Sequence, residues 1–223
     1  LRGLELTATQ RSRRTQAERR GEAEERIIEA GIRLIEKKGF ANFSLGEVGI
    51  ESGYSRGLPT HHFGKKEELL ERIVGRISSD YLRSIQSPGH HERGLPRLKS
   101  MIRSYAKFVA NREGRVISIL LGESVFNESV RKVISFVNED GLHLLREEIK
   151  KGQRLGNIST DIDGNAYSNI IYSFIRGNMS FVVTFDDYDG VAATDEFIAW
   201  LEQRIAADPN GRAEKVRKPK SSP

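Results

Sequence analysis

The chain contains no cysteine, so neither a disulfide framework nor a thiolate metal site can be built from it. No apolar run approaches the ~20 residues that a membrane span requires, and no membrane partner is expected. Strands are lacking too: no stretch alternates between apolar and polar with a period of two, and no internal repeat is visible. Paired carboxylates, a phosphate-cradling Walker loop and H-E-x-x-H are all missing, so no cofactor and no metal are expected. The first residues, LRGLELTATQ, carry no continuous apolar signal core. The N-x-[ST] triplets at Asn42, Asn127, Asn157 and Asn178 therefore read as chance matches, and the expected compartment is the cytoplasm.

What remains is a chain of 223 residues, long enough to bury a real core, with a formal net charge of +5. The charge is uneven. Residues 1–20 hold six arginines against two glutamates, and residues 209–223 hold five Lys or Arg against Glu214. The middle of the chain is slightly acidic. Basic ends of this kind either keep the protein solvated or, for the N-terminal arm, reach an anionic polymer.

The densest stretch is GFANFSLGEVGIESGYSRGLPTHHFGKKEELL, residues 40–70. Ser44 and Glu47 form an S-x-x-E capping box, with Phe43 and Val48 placed to close over it as a hydrophobic staple. The helix so begun runs out near Glu51 and Ser52, where Gly53 can take the positive φ of a tight turn. Ser55 is expected to cap a second short helix running from Arg56 to about His62. A helix, a glycine turn and a second helix make the skeleton of a helix-turn-helix. Arg56 can reach a guanine edge or a phosphate, and Thr60 can meet a phosphate or a thymine methyl. His61 and His62 extend the polar face. Lys66 opens the next helix as a point charge. With Ser44, Ser55 and Gly57 these residues are the candidate DNA contacts.

The order G-F-x-x-x-S-L, S-G-Y-S-R-G, H-H-F-G-K-K-E-E-L-L resembles the N-terminal domain of tetracycline-repressor-like (TetR family) regulators, densely over residues 24–74 and thinly beyond. The resemblance implies an all-helical homodimer that binds a palindromic double-stranded DNA operator and releases it when a small-molecule effector fills a C-terminal pocket. At Leu58-Pro59-Thr60 the chain departs from the family pattern, with Thr60 where an aromatic is usual and Pro59 at about the fourth helical position.

Outside this stretch, Ile27, Ile28, Gly31, Leu34 and Ile35 mark an amphipathic helix from about Glu24 that ends at Gly39. Leu70, Ile73, Val74, Ile77 and Tyr81 mark another, to about Ile85. Ser87-Pro88-Gly89-His90-His91 breaks the pattern; His90 and His91 beside Glu92 read as a polar loop rather than a metal site. Further helices are expected at about 95–112, 115–126, 128–155, 164–185 and 194–207, the second of them buried all round. The fold class is all-α: a basic, disordered arm (1–22), a three-helix helix-turn-helix domain (23–86), a larger ligand-binding and dimerisation domain (87–208) and a basic, disordered tail (209–223).

Tyr105, Phe108, Phe126, His143, Tyr172, Phe174 and Asn178 are aromatic or polar side chains at core-facing positions. They can line an effector pocket, although core packing accounts for the same positions. Ile171, Ile175, Phe181, Val182, Phe197, Trp200 and Leu201 exceed what a two-helix edge needs to bury. Pairing with a second copy would make a four-helix, two-fold interface; burial in the chain's own core is the alternative. Gly53-Tyr54-Ser55-Arg56-Gly57 matches the G-x-S-x-G of hydrolases, but that motif needs a strand before it. No enzyme is expected. A ligand-independent helix-turn-helix protein is the competing reading. Effector, operator, regulated genes and the choice of repressor or activator stay open at this level.

Overall fold

The computed structural model describes residues 15–85 and 92–207. Among the described residues there are nine α-helices: α1 (Gln16–Lys38), α2 (Leu45–Glu51), α3 (Leu58–Phe63), α4 (Lys66–Ile85), α5 (Leu95–Val109), α6 (Arg112–Glu123), α7 (Glu128–Leu155), α8 (Gly164–Thr184) and α9 (Gly190–Ile205). The fold is all-α, the only β feature among the described residues being an isolated bridge between Ile158 and Ala206. No described helix is long and apolar enough to cross a membrane.

The chain forms two compact units that divide at Ile73/Val74, inside α4. The expected break at 87–91, with His90 and His91, lies outside the described residues, as does the tail at 209–223. Leu69 and Ile73 explain why the first unit extends into α4: both side chains reach Gly31 of α1. Beyond them, Ile77 and Tyr81 serve the second unit.

In the first unit α1 begins earlier than its apolar periodicity suggests. Thr15 caps it, accepting from the Glu18 N–H while the Glu18 carboxylate accepts from the Thr15 N–H. Residues 16–22 are therefore helical, not part of a disordered arm. They were missed because this exposed turn of helix carries no apolar stripe to read. Ile27, Ile28, Leu34 and Ile35 of α1 are buried with Phe40, Phe43, Val48, Phe63, Leu69 and Leu70, each contributing about 1.5–3 kcal/mol through removal from water. Phe40 meets Phe43 edge to face. Ion pairs Arg33–Glu51 and Lys38–Glu47, both at 2.7 Å, tie α1 to α2 at the surface.

The core of the second unit joins α5, α7, α8 and α9 through Leu98, Ile102, Leu145, Ile149, Ile171, Ile198, Leu201 and Ile205. Asp163 caps α8 as expected, and Asp189 caps α9, which begins at Gly190, four residues before its expected start. Phe126 corrects the expectation of a helix buried to its end. It is 91% exposed in the turn after α6, whose buried side is confined to Gly114, Val116, Ile117 and Leu120.

Candidate nucleic-acid interface and cavity

The Ser44 box is as the spacing predicts. The Ser44 hydroxyl accepts from the Glu47 N–H at 3.3 Å, and the Glu47 carboxylate accepts from the Ser44 N–H at 2.8 Å. The Lys38 ammonium on that carboxylate, followed by the Ser44 N–H, holds its pKa down at about 2. Ser44 is thus occupied by its own cap and sets the direction of α2. Gly53 takes φ 78 and turns the chain.

The second helix starts two residues later than expected. Its cap position is Gly57, with no side-chain cap, and the Leu58 N–H donates to the Ser55 carbonyl, so Ser55 belongs to the turn. The reason is a backbone crossing: a Cβ on Gly49 would lie 2.5 Å from the Ser55 oxygen and 2.9 Å from the Arg56 Cα. Residues 55 and 56 are pinned against α2 before the helix can begin. This places Pro59 at the second helical position, where its missing N–H costs nothing, instead of the fourth.

Pro59 and Phe63, one turn apart, point into the core, while Thr60 and His61 on the other side of α3 are exposed. Ser55, Arg56 and Gly57 are exposed beside them, and Arg56 has no polar partner among the described residues. His62 is half-buried against Phe63. Lys66 differs from expectation: its ammonium lies over the Phe40 and Phe43 rings, 4.5 and 4.2 Å from their centres, and donates to the Ala41 carbonyl. It closes the small core from above.

In the second unit a cavity of about 100 Å³ opens between α4, α5, α6, α7 and α8. Tyr105, Phe108 and Tyr172 line it, as proposed from sequence. The other four candidates do not. Phe126 and His143 are exposed. Phe174 stacks on Phe197 at 3.9 Å, and Asn178 is buried in a clamp with the Gly190 carbonyl, the Thr194 hydroxyl and Tyr188. Sequence reasoning missed Tyr81, Asp140 and Arg176 in the lining. Arg176 had a signal: it is the one charged residue in the whole of α8. Burial pushes the phenols of Tyr81, Tyr105 and Tyr172 up, so all three are protonated at neutral pH.

The dimer candidates also separate. Ile171, Ile175 and Leu201 are buried in the chain's own core and are unavailable to a partner; helical periodicity did not tell inward from outward on two apolar helices. Val182 and Phe197 are half-buried. Phe181 and Trp200 are 48% and 42% exposed, with Ile170 beside them in class at 43%. Among the described residues no group of three or more His, Asp or Glu could hold a metal ion.

A capped helix, a glycine turn, a backbone crossing and an outward-facing second helix define a helix-turn-helix protein with an all-helical second unit. Residues 27–73 match the model of a family described as bacterial regulatory proteins, tetR family. The HTH-type transcriptional regulator CymR of Pseudomonas putida is 45% identical over 58 residues, 26% of this chain and 29% of that protein. The chain thus matches less than a third of the length of this curated relative. A TetR transcriptional regulator from Chloroflexus aurantiacus superposes with a TM-score of 0.74 at 15% identity, over 85% of this chain and 99% of that one. A transcriptional regulator from Saccharomonospora viridis in complex with choline gives 0.69 at 19% identity, over 84% and 100%. Relatives across the match are transcriptional regulators, not enzymes, and the G-x-S-x-G pentapeptide lies in a helix-turn-helix turn with no strand before it.

Proposed function

We propose that the protein is a homodimeric transcriptional repressor of the cytoplasm, which holds a palindromic operator until a small molecule enters the cavity of its second unit. The observation that carries the DNA half is the division of α3 and the turn before it: Pro59 and Phe63 inward, Arg56 of the turn and Thr60 and His61 of the helix outward. Such a surface offers a guanidinium, a hydroxyl and imidazole to base edges and phosphates. Ile170, Phe181 and Trp200 supply apolar area for a second copy, and two-fold pairing makes a palindrome the natural target. The cavity supplies the effector site, and the choline complex of the Saccharomonospora viridis regulator supports the idea that this fold can enclose small molecules. Because α4 runs unbroken from Lys66 to the cavity-lining residues Ile77, Ser78, Tyr81 and Leu82, an effector that prefers one setting of this helix would shift the population of DNA-competent dimers.

Selection from a random-sequence duplex library tests this. The expected product is a palindrome with half-sites about one DNA turn apart or a little further, bound by a dimer in sedimentation. Enrichment of a single half-site by a monomer would overturn the dimeric reading, and no enrichment would overturn DNA binding. Operator affinity that stays constant while a ligand demonstrably fills the cavity would leave a ligand-independent DNA-binding protein.

A further inference from the structure

The cavity of the second unit holds a charge that its surroundings do not answer. Arg176 lies in its wall, with Nη1 donating to the Tyr105 hydroxyl at 2.8 Å and Nη2 donating to the Tyr172 hydroxyl at 2.5 Å and Asn138 Oδ1 at 2.6 Å. Each of these partners is neutral, since burial keeps both phenols protonated. Its Nε is shut off from solvent and has no hydrogen-bond partner among the described residues. No ion pair to Arg176 exists among the described residues. Asp140 is the one acidic side chain in the lining, and it is exposed at the rim.

A cation partly withdrawn from water among neutral acceptors keeps part of its desolvation cost uncompensated, and an entering anion would remove that cost through charge-assisted hydrogen bonds. Apart from Ser78 and the Tyr81 hydroxyl, the rest of the lining is apolar, with Leu82, Met101, Phe108, Ile117 and Val137 among it. Apolar cavities of roughly 150 Å³ hold one benzene ring. The space here, about 100 Å³, is smaller, so it suits a short chain, or one small ring that extends past the open side of the cavity. The charged end is fixed from three sides. A Cβ on Gly141 would sit 2.6 Å from the Tyr172 ring, so that glycine lets the ring close on α7, where the Tyr172 hydroxyl donates to the same Asn138 oxygen at 3.0 Å.

We propose that the cavity takes a small organic monoanion, a carboxylate on a single ring or short chain, with its charge at Arg176 and its apolar body against α5 and α6. The proposal rests on the reading of this cavity as the effector site. It also separates this chain from any relative that encloses a cation: the tyrosine rings would attract an ammonium group, but the guanidinium repels it.

Isothermal titration of the full chain with benzoate, hexanoate, benzamide, hexanamide and choline tests the assignment. At least one carboxylate is expected to bind about tenfold more tightly than its amide, as charge-assisted bonds require, with choline not binding. Arg176→Gln should abolish that preference, with folding checked by its melting curve and its affinity for the selected operator. Should Arg176→Gln not fold, Asp140→Asn serves in its place: removing a like charge at the rim should tighten carboxylate binding, and weaker binding would count against the proposal. Amides binding as well as carboxylates, choline binding better, or neither carboxylate binding the wild type would each overturn it. Operator release is scored separately. Carboxylate binding without release leaves the anion site standing and sinks the effector reading, whereas release by choline or an amide alone does the reverse.

Discussion

The first unit keeps its chemistry-bearing side chains outside a small apolar core, whereas the second keeps its own inside, around a cavity. In the first, Arg56, Thr60 and His61 need only a rigid platform, and local features build it: a capping box, a positive-φ glycine and one backbone crossing at Gly49. In the second, Arg176 has meaning only because α5, α7 and α8 bring Tyr105, Asn138 and Tyr172 to it. A surface site depends on a few short-range contacts. An enclosed one depends on every helix that walls it.

Substitutions confined to one unit should therefore separate the two proposed activities. The largest effect is expected from Gly49→Ala, whose Cβ would strike the backbone of Ser55 and Arg56. We expect a loss of about 2–3 kcal/mol in urea unfolding together with loss of operator binding; wild-type stability would refute the crossing as a constraint. Arg56→Ala leaves the platform intact and should weaken operator binding by about 1–3 kcal/mol at fixed salt. An unchanged gel-shift titration would remove Arg56 from the contact surface.

Gly141→Ala is the counterpart in the second unit. The Tyr172 ring must move, at a cost of about 1–2 kcal/mol, and carboxylate affinity should fall while operator affinity holds. If operator affinity fell and carboxylate affinity did not, the division of labour between the units would be wrong.

The smallest effect is expected at the cap. Ser44→Ala should cost about 1 kcal/mol by thermal melting. Glu47 adds a pH signature. Its folded pKa of about 2 lies below the ordinary 4.5, so its contribution is complete above 4.5 and fades as the pH falls through 2. Melting temperatures of wild type and Glu47→Gln should converge over that interval, and a constant gap would show that the carboxylate charge is irrelevant.

The same contrast governs what could be read in advance. Ser44 and Glu47, Gly39, Gly53 and Asp163 were legible because caps and turns involve residues two to four apart, and residue type alone reports them. Ser55 was misjudged because what displaced it was Gly49 pressing from another helix. Lys66 stands among the candidate DNA contacts because nothing in its neighbours along the chain reveals the Phe40 and Phe43 rings beneath it. Phe126 and His143 carried the right chemistry and ended outside the cavity. Ile171, Ile175 and Leu201 carried the right apolarity and ended inside the core.

From the order of its residues alone, this protein was committed to helices, to their caps and to a helix-turn-helix, since those follow from hydrogen bonds and side-chain periodicity within a few positions. Which apolar faces turn inward, and which polar groups meet in the second unit, was decided only by the packing of distant segments. Arg176 reaches Asn138 and Tyr105 across 38 and 71 positions of chain. No local rule spans such a distance, because the contact exists only once several helices have excluded water together.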